Sequence, residues 1–107
     1  MIARYWRGIA RPDRADTYIR HLRTDTFPRL STIDGFVRAS ILKRTSEQGT
    51  EFVILTIWQS MEAIERFAGS ETEIAVVPSV VQDMMVAYDP VVTHYEVVEQ
   101  YSPARAD

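Results

Sequence analysis

The sequence contains no cysteine and only four glycines, and both features narrow its chemistry. Without cysteine the chain has no disulfide, no thiolate metal ligand and no cysteine nucleophile. The glycines are dispersed at predicted turns, so there is no glycine-rich phosphate-binding loop. The two histidines, His21 and His94, lie far apart and form no HxH or HxxxH pair. A metal site therefore gains no support, and we expect no metal and no cofactor.

The chain also lacks a strong charge of one sign and a long apolar run. Its 107 residues carry a formal net charge of −3, and the arginines are scattered, which argues against a nucleic-acid partner. No apolar run approaches the about 20 residues of a membrane span. Strand-like sequence begins at the first residue, so we expect no signal peptide. We therefore expect one cytoplasmic domain that binds neither nucleic acid nor membranes.

The stretch 52–60, FVILTIWQS, begins with seven consecutive apolar or β-branched residues. A strand with one face in water would alternate with polar residues, and this one does not. Because successive side chains point to opposite faces, both sides of the sheet need cover at this strand. Helices of the same chain can cover one side. A second subunit is the simplest cover for the other, so we predict a homodimer.

Periodicity and turn residues predict four strands, at 1–8, 36–44, 52–60 and 91–100. Helices are predicted from Pro12 to about residue 25, over 60–69 and 70–77, and for one or two turns around 80–85. Phe27 precedes Pro28 and is expected outside the helical region. Alternation places Tyr5 with Ala3 on the side of the first strand expected to face the helices, and His21 is expected to be exposed.

This order predicts a ferredoxin-like α+β fold, βαββαβ, with a four-stranded antiparallel sheet. The domain is expected to cover residues 1–101. A flexible tail is expected over 102–107.

Three stretches together resemble the antibiotic biosynthesis monooxygenase domain family, in particular an uncharacterised branch of it. They are WQSMEAIERFAG at 58–69, HYEV at 94–97 and MIARYW at the N-terminus. The resemblance covers nearly the whole chain. It implies a dimeric α+β barrel, in which two sheets pack face to face with helices outside. That implication agrees with the two apolar faces of the stretch 52–58.

What the resemblance implies about activity is heterogeneous. Some members of this family oxidise polycyclic phenols with molecular oxygen and no metal or flavin, some degrade haem, and many have no assigned activity. The haem-degrading branch uses an asparagine on strand one, and a tryptophan and a histidine in the second helical region. Alignment on residues 58–60 puts Phe67 and Val77 at the last two positions, and strand one has no asparagine. The resemblance thus argues against haem degradation.

His94 is the candidate catalytic residue, because it lies in an otherwise apolar strand and its ordinary pKa is near neutrality. A cofactor-independent oxygenase must ionise a phenol or anthrone so that the carbanion can pass an electron to oxygen, and an imidazole can take that proton. The alternative is a structural histidine, hydrogen-bonded to Glu96 or to a backbone carbonyl. The sequence does not decide which face of the sheet His94 occupies.

Five more residues are candidates for substrate binding. The two tryptophans are candidates to wall an aromatic pocket and offer an indole N–H, although large residues near strand ends also serve as core or interface. The two arginines are candidates to bind an anionic substrate or stabilise an enolate, with an ion pair to Glu96 or another carboxylate as the alternative. The tyrosine is a candidate by residue type. The five are Trp6, Trp58, Arg4, Arg38 and Tyr95.

Two functions remain open. The first is a homodimeric, cofactor-independent monooxygenase-like protein whose pocket, between sheet and helices, takes a hydrophobic aromatic or polyketide-like compound and molecular oxygen. The second is a non-catalytic dimeric module that binds a small molecule or has a structural role. A cavity with room for a ring system, and with His94 or an arginine projecting into it, favours the first. An interior filled by side chains favours the second.

Overall fold

The computed structural model describes residues 1–104 and shows one antiparallel sheet with helices packed on one face. The strands follow the order β2-β3-β1-β4 across the sheet, and β5 also pairs with β1. This arrangement confirms the predicted ferredoxin-like α+β fold. The strands are β1 (Ile2–Ala10), β2 (Phe36–Thr45), β3 (Thr50–Trp58), β4 (Met85–Tyr88) and β5 (Thr93–Glu96).

Within residues 1–104 the sheet has five strands, and the prediction of four was wrong. β3 pairs with β1 along its whole length, and β4 and β5 share the other edge of β1. Of the predicted strand at 91–100 only β5 is formed, and β4, which the sequence analysis missed, starts at Met85, where the end of a helical turn was expected. Pro90, which has no N–H to give to a ladder, lies in the break between them.

The first helical region runs without a break through the position where the sequence predicts an end. It consists of a 3₁₀ turn at Pro12–Arg14, α1 (Ala15–His21), a π-turn at Leu22–Thr26 and α2 (Phe27–Leu30). Phe27 is helical, with φ −66° and ψ −40°, so the expectation for it was wrong. Its N–H bonds to the Leu22 carbonyl, five residues back. The widened turn accommodates Pro28, which has no N–H and would crowd a regular α-turn.

The helix after β3 has the predicted ends. In α3 (Met61–Ala68), the Ser60 hydroxyl accepts the N–H of Ala63 at 3.2 Å, and Gly69 follows the last residue with φ 82°. A short helix, α4 (Ser79–Gln82), precedes β4. None of the helices over residues 1–104 is long and apolar enough to cross a membrane.

The helix predicted over 70–77 is not formed, because that segment bonds to other parts of the chain. Ala75 N–H donates to Pro90, and the Glu73 carbonyl accepts from Val92. Ile74 forms a single antiparallel bridge with Val91. The Ser70–Glu73 spacing is therefore not a capping box here, and the segment is an extended loop beside the sheet.

Two separate clusters of buried side chains lie between the sheet and the helices. Phe52 belongs to the larger cluster, with residues of α1 and α4, and Trp58 to the smaller one, with residues of α2 and α3. Trp6 also faces the helices, whereas Tyr5 points to the opposite face, so the predicted side for Tyr5 was wrong. His21 was expected to be exposed, but its side chain is 15% accessible.

The opposite face of the sheet, called the open face below, is not covered by any helix of the described residues. Residues 102–104, in the predicted flexible tail, are exposed and have no regular structure. Residues 105–107 lie outside the described residues. The open face consists of Ala3, Tyr5, Arg7 and Ile9 of β1, Arg38, Ser40, Leu42 and Arg44 of β2, and Glu51, Val53, Leu55 and Ile57 of β3, of which Ile9, Glu51 and Ile57 are buried.

Gly35 allows α3 to approach the start of β2 closely. It has φ 96°, and a Cβ added there would lie 2.5 Å from the Cβ of Ala63. Its carbonyl accepts the N–H of Gln59 at 2.8 Å. Both the positive φ and the close contact require glycine here.

We expect Gly35→Ala to destabilise the protein more than Gly69→Ala. Both glycines have positive φ, but nothing lies within 4 Å of a Cβ at Gly69. Gly69→Ala should cost only backbone strain, about 1–3 kcal/mol. Gly35→Ala should cost a further 1–3 kcal/mol or so from overpacking against Ala63. Urea unfolding of both variants measures the difference, and equal losses would show that the contact with Ala63 is unimportant.

Candidate functional site

A cleft separates the two buried clusters on the helix-covered side of the sheet. It contains about 610 Å³ of space not occupied by atoms, including its open mouth. Phe52 and Trp58 fill the two ends of the row of β3 side chains that faces the helices. Ile54 and Thr56, between them, line the cleft. The interior is therefore not completely filled by side chains.

Neighbouring positions of β1 and β3 form the floor of the cleft. Arg4 pairs with Thr56 and Trp6 pairs with Ile54, so these side chains lie side by side on one face. Gly8 makes room for the Trp6 ring, because a Cβ there would lie 2.6 Å from the ring edge. The ring packs against Tyr18, with the centroids 6.3 Å apart.

The walls of the cleft come from α1, the π-turn, α2, α3, α4, the loop before α4 and Val92. They are apolar apart from Tyr18 and Thr26, as expected for a site that takes a hydrophobic ligand. The wall residues are Tyr18, Leu22, Thr26, Phe27 and Leu30 from the first helical region, Phe67 from α3, Val76, Val77 and Pro78 from the loop, Val81 from α4, and Val92.

Among the described residues that line the cleft, Arg4 is the charged one, and it is only 4% exposed. Its Nη1 donates to the Thr72 carbonyl at 2.6 Å, and its Nη2 donates to the Ile74 carbonyl at 3.2 Å. The guanidinium carbon lies 5.6 Å from the centre of the Phe67 ring, in cation–π range. Burial lowers the pKa of Arg4 to about 10, so it stays protonated at neutral pH.

His94 contacts Arg4 and is not among the residues that line the cleft. Its Nε2 lies 2.9 Å from Arg4 Nη1 and accepts an N–H, since a guanidinium has only donors. Burial lowers the pKa of His94, and the adjacent positive charge of Arg4 lowers it further. The sequence alternatives paired His94 with Glu96 or a backbone carbonyl and Arg4 with a carboxylate. Within residues 1–104, Arg4 and His94 are instead partners of each other.

Tyr18 adds a neutral hydroxyl to the cleft. The residue is 3% exposed, and burial raises the pKa of its phenol, so the hydroxyl stays protonated and can donate a hydrogen bond. Thr56 has less hydrogen-bonding capacity left for a ligand, because its Oγ1 already accepts the indole N–H of Trp58 at 2.9 Å.

The structure separates the other predicted substrate-binding residues. The Trp6 ring lines the cleft, but its N–H donates to the Asp89 carbonyl at 2.9 Å. Trp58 is fully buried in the smaller cluster and does not line the cleft. Arg38 is exposed on the open face, and Tyr95, which pairs with Ala3, is 56% exposed on the same side. Arg4 and Trp6 are thus the two predicted residues that the cleft brings together.

Sequence analysis missed several wall residues because their pattern is that of ordinary core. Leu22 and Val81 recur at helical spacing, and such residues are usually core. The sequence did give a reason to consider Phe67 and Val77, since the family resemblance placed them at functional positions of the haem-degrading branch. Both line the cleft.

An outer groove continues from the mouth of the cleft. The two share Thr26, Phe67, Val76 and Pro78. Two exposed arginines line the groove: Arg29 is bonded to Asp25 at 2.6 Å, and Arg66 donates to the Asp34 carbonyl at 2.8 Å.

Comparisons with solved structures identify the same fold in several proteins. A candidate antibiotic biosynthesis monooxygenase of Bacillus cereus is 17% identical, with 98% of both chains covered and a TM-score of 0.68. A dimeric ferredoxin-like protein from an uncultured marine organism is 15% identical, with 96% of this chain and 92% of that chain covered and a TM-score of 0.61. A haem-degrading protein of Mycobacterium tuberculosis, with two haems bound in its active site, is 16% identical, with 95% of this chain and 100% of that chain covered and a TM-score of 0.60.

At these identities the structures show the fold alone. No curated protein matches the chain. The sequence does match the family model described as antibiotic biosynthesis monooxygenase, over residues 1–77. That match spans β1 to the loop after α3 and includes Arg4, Trp6 and Phe67 of the cleft. The chain therefore belongs to the antibiotic biosynthesis monooxygenase family.

Proposed function

We propose that the cleft binds a small hydrophobic aromatic or polyketide-like compound and that the protein oxidises it with molecular oxygen, without metal or flavin. The observation that supports this proposal is an apolar space between sheet and helices, with a buried arginine in its floor. Aromatic and aliphatic walls favour a flat apolar ligand. The arginine offers a positive charge to an ionised phenol or enolate oxygen, which would stabilise the carbanion that reacts with oxygen.

Haem is not the ligand that we propose. Haem iron is commonly held by an axial histidine, and the residues described as lining the cleft include none. The family resemblance also puts Val77 where the haem-degrading branch has histidine. The likeness to the haem-degrading protein of Mycobacterium tuberculosis, at 16% identity, is one of fold.

The geometry supports His94 as a residue that positions Arg4. Its Nε2 lone pair already accepts a hydrogen bond from Arg4. To act as a general base at that atom, His94 would have to release Arg4 and become a second positive charge beside it. The base role predicted from the sequence stays a prediction. His94→Gln tests it, because glutamine keeps an acceptor for Arg4 but cannot take the proton.

The second candidate function is a non-catalytic module that binds a small molecule. It is favoured by the ionisable residues of the cleft. No cleft residue other than Arg4 and Tyr18 is ionisable within residues 1–104. Arg4 stays protonated and Tyr18 stays neutral, so neither is an obvious proton acceptor. Binding and oxidation must therefore be tested separately.

We further propose that two chains pack their open faces together. This face has an apolar centre that includes Val53 and Leu55, and Leu42 on it is 50% exposed. Apolar surface of this kind favours a protein partner. At one end, Glu51 accepts from Arg7 at 3.2 Å and Arg44 at 3.1 Å, and these bonds lower the pKa of Glu51. The charged groups there are already paired, so a second copy can cover the face in a two-fold arrangement.

We expect Thr26→Phe to weaken binding of a ring compound such as naphthalene-1-methanol by at least about tenfold. Thr26 lines both the cleft and its mouth, so a phenyl ring there would occupy ligand space. Thr24→Phe is the matched control, because Thr24 is exposed on the same π-turn. Isothermal titration calorimetry measures both affinities, and equal binding by the two variants would contradict the cleft as the ligand site.

Oxidation is tested with the ligands that bind, drawn from a panel of phenols and anthrones. Oxygen uptake is measured in chelator-treated, flavin-free buffer. Uptake that requires the protein supports the monooxygenase proposal. Tight binding with no uptake for any ligand supports the non-catalytic alternative.

We expect the wild type to have the mass of two chains by light scattering at micromolar concentration, and Leu55→Asp to have the mass of one. A carboxylate at Leu55 would be buried without a partner in the packed faces. Val80→Asp is the control, because Val80 is an apolar residue of α4, 48% exposed on the helix side. A monomeric wild type, or a Leu55→Asp variant that stays dimeric, would rule out packing through the open face.

We expect the wild type to lose stability as the pH falls below about 6.5, the ordinary pKa of histidine. The unfolded imidazole binds a proton near that pH, whereas folded His94, with its lowered pKa, binds one only at lower pH. His94 therefore contributes to stability at pH values above its pKa in the unfolded chain. This contribution is lost as the pH falls through its lower pKa in the folded protein. Urea unfolding at pH 7.5 and pH 5 measures the loss.

The variant His94→Gln should lose less stability between these two pH values than the wild type. If His94→Gln kept the full dependence, the group responsible would not be His94.

A further inference from the structure

Arg4 has hydrogen-bonding capacity that the fold does not use. A guanidinium carries five N–H donors. The Thr72 carbonyl and His94 Nε2 take the two donors on Nη1, and the Ile74 carbonyl takes one on Nη2. The Nε–H and the second N–H of Nη2 have no partner among residues 1–104. The bonds within the fold therefore use only some of the N–H donors of Arg4.

Nε–H and one N–H of Nη2 point along the same edge of the planar guanidinium. That edge can hold both oxygens of a carboxylate through two parallel hydrogen bonds. Arg4 is 4% exposed, so bulk water has little access to these groups. The residue lines the cleft, so a bound ligand can reach it.

The positive charge of Arg4 is also not balanced nearby. Of the carboxylates on described residues, none lies within 4.0 Å of its guanidinium. Glu73 is the acid whose charge acts on Arg4, and it is exposed. A buried cation without a counter-ion is costly, and the face of Phe67 offsets only part of that cost. An anion in the cleft would be stabilised here.

We propose that the cleft selects hydrophobic carboxylic acids, with the carboxylate held side-on by Nε and Nη2 of Arg4 and the apolar body lying along Leu22, Ile54 and Phe67. This inference rests on the proposed function, because it assumes that a hydrophobic ligand occupies the cleft. It adds the chemical class of that ligand and the atoms that recognise it.

The outer groove offers a competing position for a carboxylate, and the structure favours Arg4. Arg29 already has a carboxylate partner in Asp25. Arg66 is exposed to water, where a single ion pair contributes little affinity. A pair formed at buried Arg4 is screened less and has two aligned donors.

The first test compares two ligands of the same shape on the wild-type protein. Naphthalene-1-carboxylate and naphthalene-1-methanol are titrated at pH 7.5 by isothermal titration calorimetry. We expect the acid to bind at least about tenfold more tightly, because hydrogen bonds to charged groups are strong. If the alcohol binds as tightly, the carboxylate site is wrong and the hydrophobic cleft stands. If neither ligand binds, the proposed function and this inference both fail.

The second test locates the carboxylate with two variants. Arg4→Lys keeps the charge but lacks the two-donor edge, so the preference for the acid should fall at least about fivefold. Arg66→Gln is the control and should keep the wild-type preference for the acid. Loss of the preference in Arg66→Gln, with none in Arg4→Lys, would place the carboxylate in the outer groove and overturn the inference. Circular dichroism checks folding, and if Arg4→Lys does not fold, the wild-type comparison decides.

Discussion

The buried guanidinium of Arg4 joins the parts of the protein that form the site. From the middle of β1 it reaches two carbonyls of the loop over 70–77 and the imidazole of β5. That loop forms no helix, so its carbonyls are free to accept these bonds. A charge in this position is stable only if its donors are satisfied. The same contacts that hold the loop against the sheet therefore also hold a positive charge in the floor of the cleft.

The cleft exists because the interior is divided into two clusters instead of one. Phe52 and Trp58 are both fully buried, at opposite ends of β3, and each packs with a different set of helices. Between them the sheet presents Ile54 and Thr56 to a space that no side chain fills completely. The π-turn before α2 lies beside this space, and its Thr26 is at the mouth. Irregular turns of this kind often occur at functional sites.

Much of the fold was predictable because periodicity, turns and caps are local. The unbroken apolar run of β3, the Ser60 cap and the glycine after α3 each have one structural explanation, and the structure contains all three. The two local errors have different causes. The segment 70–77 has a helix-start spacing, yet it takes its conformation from bonds to Pro90 and Val92, which local sequence rules do not include. Phe27 precedes a proline but stays helical, because the π-turn bonds its N–H to the Leu22 carbonyl five residues back.

The sequence by itself determined the class of fold, the family and the residue types available for chemistry. These follow from the order of apolar and polar residues, which any folded form must respect. The tertiary structure decided which of those residues meet. It brought Arg4 and Trp6 into one cleft, buried Trp58 elsewhere, and left Arg38 and Tyr95 on the open face. It also paired Arg4 with His94, although 90 positions separate them. Contacts between distant positions depend on how the strands are ordered and paired, and a single sequence does not contain that information in any local pattern.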